Sequence, residues 1–193
     1  MKNIGIICEG ESDAVIMNSS SFQHTLENLK LKCVRVIDVN GNGNLLPENM
    51  QEHIQTLQRE KAEIILVVSD LDEDKCITET KARLTAGNFL PQGSFVLVVV
   101  KALESWFLAD STTLSVVFRK KYSFEKPQDI DGSPYERLKS EFKTHFGKGT
   151  GGSKVRFARW IVAQGFIIEK AANHEFCPSA KYFLSKLKEI STS

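Results

Sequence analysis

The chain has 193 residues, 41% of them apolar and 25% charged, a globular composition large enough to bury a core without disulfides. That excludes a disordered chain, and a formal net charge of +1 argues against a generic polycation that coats nucleic acid or membrane. The total hides an asymmetry: residues 1–118 carry 10 Lys+Arg and 16 Asp+Glu, residues 119–193 carry 15 and 8. An acidic front and a basic rear in one chain require an explanation.

The segment Met1–Ser12 has one lysine and an apolar run broken by Glu9 and Glu11, unlike a signal peptide. The longest apolar runs, Ile64–Val68 and Phe95–Val100, are too short to cross a bilayer. Cys8, Cys33, Cys76 and Cys177 are scattered without a CxxC pair. Reduced thiols, a cytoplasmic location and no membrane association are expected.

Four continuous apolar segments read as buried parallel strands: Asn3–Cys8, Cys33–Val39, Glu63–Ser69 and Ser94–Ala102. Helical patterns lie between them. Ser12–Leu31 carries an apolar stripe with Ser12 as N-cap, Pro47–Gln58 starts on proline, and Thr78–Ala86 is shorter and ends near Gly87. This alternation predicts an α/β fold: a mostly parallel, Rossmann-like four-stranded sheet with right-handed crossovers and helices on both faces. The remainder is helical: Glu104–Val117, Pro134–Phe146, Lys154–Ala163 and Ser179–Ile190, with a glycine-rich hinge at Gly147–Ser153. The expected organisation is an α/β core over residues 1–118 and a basic helical extension over 119–193, packed as one unit. Trp106, Phe107 and Trp160 stand at helical positions and read as core residues, not base-stacking platforms.

In open α/β sheets, ligands bind beyond the carboxyl ends of the strands. Acids stand there repeatedly: Glu9, Glu11 and Asp13 after the first strand, Asp70, Asp72, Glu73 and Asp74 after the third, Glu104 after the fourth. Crowded carboxylates repel unless a cation sits among them, and a divalent ion is the economical answer. Mg²⁺ or Mn²⁺, as one ion or two, suits carboxylates, waters and phosphate oxygens. For Glu11, Glu73 and Asp74 a solvated loop position is an equally simple reading. Gly10 fits a tight strand-to-helix turn.

At these residues the chain resembles the TOPRIM domain. The carrying motifs are Glu9-Gly10 after the first strand and Asp70-Leu71-Asp72 after a later one, with Asp13 where nuclease-type members of the overcoming-lysogenization-defect class place a second acid. It is also similar to a family of small uncharacterised bacterial TOPRIM-like proteins, through Glu104-Ser105-Trp106-Phe107-Leu108-Ala109-Asp110 and Cys177-Pro178-Ser179. The resemblance implies metal-dependent phosphoryl transfer on DNA or RNA, often in defence against phage or mobile elements. Glu9 would be a metal ligand or general base/acid. Asp70 and Asp72 would hold Mg²⁺, and Asp13 and Glu104 would complete a second metal position. No topoisomerase tyrosine context or primase zinc module is recognisable, which leaves a nuclease. Several nuclease-type relatives carry an ATPase domain, so a separately encoded ATPase partner is expected.

Lys101, near Glu104, is a candidate for transition-state stabilisation. Lys148, Lys154, Arg156 and Arg159 are candidates for nucleic-acid contacts, against the simpler reading of a solvated face. Gly147–Lys154 imitates a phosphate loop but reverses its final pair and follows a helix. Asp70–Asp74 nearly fits a haloacid-dehalogenase phosphatase motif, but at the wrong strand and without its threonine. A non-catalytic binding module and a small-molecule phosphatase therefore stand as alternatives. His174 reads as structural.

Overall fold

A computed structural model of the chain describes residues 1–71, 74, 76–87 and 90–192. Four strands, β1 (Lys2–Cys8), β2 (Leu31–Asp38), β3 (Ile64–Asp70) and β4 (Phe95–Val99), form one sheet in the order β2-β1-β3-β4. All three pairings are parallel. The crossovers are α1 (Glu11–Met17) with α2 (Ser20–Asn28), then α3 (Pro47–Arg59), then α4 (Ile77–Leu84). The chain continues as α5 (Glu104–Ala109), α6 (Ser111–Phe118), α7 (Pro134–Phe146), α8 (Lys154–Ala163), α9 (Ile168–Ala172) and α10 (Pro178–Thr192).

Strand periodicity sorts the core into two layers. Ile4, Ile6, Leu66, Val68, Leu97 and Val99 face α1, α2 and the helices that follow β4. Ile7, Ile65, Val67, Val96 and Val98 face Leu45, Met50, Ile54, Leu57 and Leu84. These alternate positions point to opposite faces because a strand has a period of two. Gly5 admits α3 to its layer: a methyl at that position would stand 2.8 Å from Leu57 Cδ1.

The expected α/β class and parallel sheet are present, with helices on both faces. Several boundaries differ from expectation, and α1 starts at Glu11 with Gly10 as its N-cap in place of Ser12. Ser12–Leu31 is two helices, because the Ser19 hydroxyl accepts the Phe22 N–H (3.2 Å) and starts α2 afresh. Glu104–Val117 is likewise divided: the Asp110 carboxylate accepts the Thr113 N–H (2.8 Å) and caps α6. The last strand stops at Val99, short of Ala102, and Lys101 follows in a left-handed conformation (φ 66°). The short helix α9 has no counterpart in the periodicity, its five residues being fewer than two turns. Among the described residues, no helix is long and apolar enough to cross a membrane.

The first layer extends without a break into the rear of the chain. Trp106 on α5 is fully buried and packs on Phe183 of α10, ring centroids 5.4 Å apart. Its Nε1–H donates to Ser179 Oγ (2.8 Å). Gln128 closes the network: its amide nitrogen donates to Ser105 Oγ (3.2 Å) and to Ser179 Oγ, and its Oε1 accepts the Ser179 N–H (3.3 Å). The Glu-x-Trp and Cys-Pro-Ser segments thus meet as a buried polar clamp that docks α10 on α5. Ser179→Ala leaves the indole N–H and the Gln128 amide without their shared acceptor. A loss of about 1–3 kcal/mol is expected, read as a lower urea midpoint at unchanged slope.

Candidate active site

The chain leaves β1 for β2 on one side and returns to β3 on the other. That reversal opens a crevice at the carboxyl ends of β1 and β3. Glu9 is the first residue past β1 and Asp70 the last of β3, and the Asp70 N–H donates to Glu9 Oε2 (3.4 Å). Asp70 has the same parity as Val68, so its carboxylate turns toward α5, where Oδ1 accepts the Leu103 N–H (3.0 Å).

Asp13 arrives from α1. It is buried, and its Oδ2 accepts the Gly10 N–H (3.1 Å), so that it caps its own helix from the third position. Gly10 itself is extended (φ −148°), and a side chain there would meet nothing within 4 Å. The turn therefore does not require glycine, contrary to the expectation above. Glu104, the first residue of α5, is 3% exposed.

The positive charge among these acids comes from the rear of the chain. Lys154 begins α8, whose start is set by Ser153 accepting the Arg156 N–H (3.3 Å). Lys154 Nζ lies 3.4 Å from Glu104 Oε1. Burial works to lower the lysine's pKa, but the fields of Glu104, Asp70 and Asp13 outweigh it and hold the ammonium above its ordinary range. Asp13 is pushed up to about 7, first by burial and then by Glu104 and Glu9, against the opposing pull of the Gly10 N–H and Lys154. Beneath the rim, burial and then the fields of Asp13, Asp38, Asp70 and Glu9 drive the Cys8 thiol far above its usual range. On the surface Arg159 pairs with Glu11 at 2.7 Å, a second tie between α8 and α1.

A cleft of about 1020 Å³ opens beside the cluster, with Lys154, Lys101 and Arg83 in its walls. Arg83 Nη2 is 2.7 Å from Asp74 Oδ2, and its Nη1 donates to Asn42 Oδ1 (3.1 Å). The side-chain hydrogen bonds from Arg83 and Thr80 hold Asp74 below the usual carboxylate range. Glu11 and Asp74 are therefore ion-paired and not merely solvated. Nothing in the sequence singled out Arg83, which reads as one more surface cation on a weak helix. The left-handed backbone at Lys101 costs about 1 kcal/mol or more for a residue with a Cβ.

The structure thus brings together Glu9, Asp13, Asp70, Glu104 and Lys154, with Lys101 in the adjoining cleft. Asp72 and Glu73 lie outside the described residues. Lys148 and Arg156 line a different groove. Trp106 and Phe107 are core residues as expected, but Trp160 is 38% exposed; its ring stands at the edge of the aromatic cluster and not within it. The loop at Gly147–Ser153 follows helix α7, so the strand-loop-helix setting of a phosphate loop is not present. The His174 ring donates to Phe124 O (2.8 Å) and accepts the Phe176 N–H (3.1 Å), a structural role.

Carboxylate oxygens are hard donors, and their chemistry suits Mg²⁺ or Mn²⁺ better than softer metals. Among the described residues, no three His, Cys, Asp or Glu side chains form a ready-made cation cage. The Lys154 ammonium offsets part of the charge of these acids.

No protein-family model matches the chain, and no curated protein matches it in sequence. Among solved structures it is similar to the C-terminal region of the Burkholderia pseudomallei OLD protein. The identity is 15% and the TM-score 0.49, over 97% of this chain and 98% of that one.

Asp13 binds its proton more tightly in the fold than at the ordinary carboxyl value of 3.8. Between the two values the folded state holds more protons than the unfolded chain, so stability falls as pH rises. In the absence of divalent ions, the urea midpoint is expected to drop between about pH 4 and pH 7, and Asp13→Asn to flatten that drop.

Proposed function

We propose that the chain is a nuclease of the TOPRIM type, hydrolysing phosphodiester bonds of DNA or RNA with Mg²⁺ or Mn²⁺. Its setting would be bacterial defence against phage or mobile elements, with a separately encoded ATPase as partner. The observation that carries this reading is the gathering of four carboxylates, from four separate positions in the chain, at the switch point of a parallel sheet. Each acid is placed by its own local device: Glu9 by the Asp70 N–H, Asp13 by Gly10, Asp70 by Leu103, Glu104 by Lys154. Evolving such repulsion without a use for it would be costly.

Glu9, Asp13, Asp70 and Glu104 would hold the ion, together with Asp72 from the same Asp-x-Asp motif. A bound ion would polarise a phosphoryl oxygen and lower the pKa of a water molecule. Glu9 would take the proton of the attacking water. Lys154 would turn from Glu104 to a phosphate oxygen, where it offsets the charge that builds up as the bond breaks. Lys101 and Arg83 would hold the neighbouring phosphates along the cleft.

One observation favours the second reading, a non-catalytic module that binds nucleic acid or a protein. Lys154 already pairs with Glu104 among the acids, and no cation cage is preformed among the described residues.

Asp70→Asn distinguishes the two, because Asn retains an Oδ1 acceptor for the Leu103 N–H. The parent protein is expected to bind Mn²⁺, to cleave plasmid or single strands, and to leave p-nitrophenyl phosphate intact. The variant should lose at least about 10²-fold in cleavage rate with an unchanged circular dichroism spectrum. A parent that binds no divalent ion and cleaves no polynucleotide, yet binds one with a steep salt dependence, supports the module instead.

A further inference from the structure

The groove that contains Lys148 and Arg156 has a chemistry of its own. It holds about 490 Å³ and is formed by α7, α8 and the glycine-rich loop between them. Its walls carry two exposed aromatic rings, Phe146 (45%) and Trp160 (38%). Single exposed apolar residues are common on any surface; here two rings share one groove. Buried Phe142 and Phe157 support them from below. Phe142 lies 5.5 Å from Trp160 and 5.7 Å from Phe146, and Phe157 lies 5.7 Å from Trp160, all between ring centroids. These contacts fix the orientation of the exposed rings.

The cations are placed to match. Arg156 stands one helical turn before Trp160, Lys148 follows Phe146 by two residues, and both cations line the groove with the rings. Among the described residues, neither forms an ion pair, in contrast to Arg159 and Lys154. The loop that closes the groove carries no acid between Gly147 and Ser153. Gly147 and Gly151 adopt positive φ (70° and 77°) with open space where a side chain would stand. The backbone there is free to lie close to a ligand.

Apolar rings supported from below and flanked by unpaired cations suit a chain of flat, stackable groups joined by anions. Within a duplex those groups are stacked on each other and cannot reach the rings. We propose that this groove binds a single-stranded nucleic-acid segment, with unpaired bases stacked on Trp160 and Phe146 and phosphates on Lys148 and Arg156. The inference rests on the nucleic-acid reading of the acidic site and gives it a substrate class. The two sites share α8: six residues, about 9 Å of helix axis, separate Lys154 from Trp160. A strand held in the groove would pass around α8 to reach the carboxylates.

The test is binding in EDTA, where no hydrolysis occurs. Labelled oligothymidylate, oligouridylate and a blunt duplex of the same length are titrated by fluorescence anisotropy. At least one single strand is expected to bind about tenfold or more tighter than the duplex. Trp160→Ala and Phe146→Ala should each weaken it about tenfold, within the range for one lost base stack, while Trp160→Phe retains most of the affinity. Lys148→Ala/Arg156→Ala, at two exposed positions, should reduce the log–log salt slope by about 1.4, about 0.7 for each lost phosphate contact. Trp106 is fully buried, so oligomer-dependent quenching of tryptophan emission reports Trp160. Equal binding of duplex and single strand, parent-like binding by both alanine variants, or no binding would overturn the proposal. Cleavage with Mg²⁺ that is unaffected by the groove variants would also overturn it. Binding in EDTA without cleavage in Mg²⁺ would uphold the groove and refute the nuclease.

Discussion

Much of this molecule is arranged around the ammonium of Lys154 and the acids it faces. Glu104 and Asp13 are buried near each other, and burial makes their repulsion stronger than it would be in water. The lysine comes from the far end of the chain and stands 3.4 Å from Glu104. For it to arrive, α8 must pack on α1, and it does so over a continuous apolar face that includes Ala14, Met17, Phe157, Ala158 and Ile161. The charge asymmetry of the sequence is therefore compensated in part inside the fold, where α8 meets the front of the chain through Lys154–Glu104 and Arg159–Glu11, and not only between the protein and a partner.

The same arrangement accounts for the position of the basic surface. Of the four rear cations considered from the sequence, Lys154 and Arg159 are engaged with Glu104 and Glu11. Lys148 and Arg156 flank the aromatic groove on the opposite side of α8. One helix thus supplies a counter-charge to the acidic rim and a wall to a second surface. The clamp of Trp106, Gln128 and Ser179 keeps the helical rear docked on the sheet. The Glu-x-Trp-x-x-Ala-Asp segment divides its work accordingly. Glu104 faces the acids, Trp106 anchors α10, and Asp110 caps α6.

The strands were legible because a buried parallel strand is a continuous apolar run. Helices that begin on Pro47 and Pro134 were legible from their first residues. The divisions at Ser19 and Asp110 were missed because the apolar period continues across them. Only the capping hydrogen bonds show that the helix axis changes. Trp160 was read as core because periodicity identifies an apolar face without showing where the packing against it ends.

From the sequence alone follow the α/β class, the parallel strands and the acids at their carboxyl ends, since these depend on local patterns of apolar and charged residues. The strand order, the orientation of the Asp70 carboxylate toward α5, the arrival of Lys154 and the pairing of Arg83 with Asp74 belong to the tertiary structure. Most of these depend on contacts between residues distant in the chain, and the Arg83–Asp74 pair on how α4 folds back on the segment before it. Such contacts are set by which apolar faces bury one another, and local sequence patterns do not encode that choice.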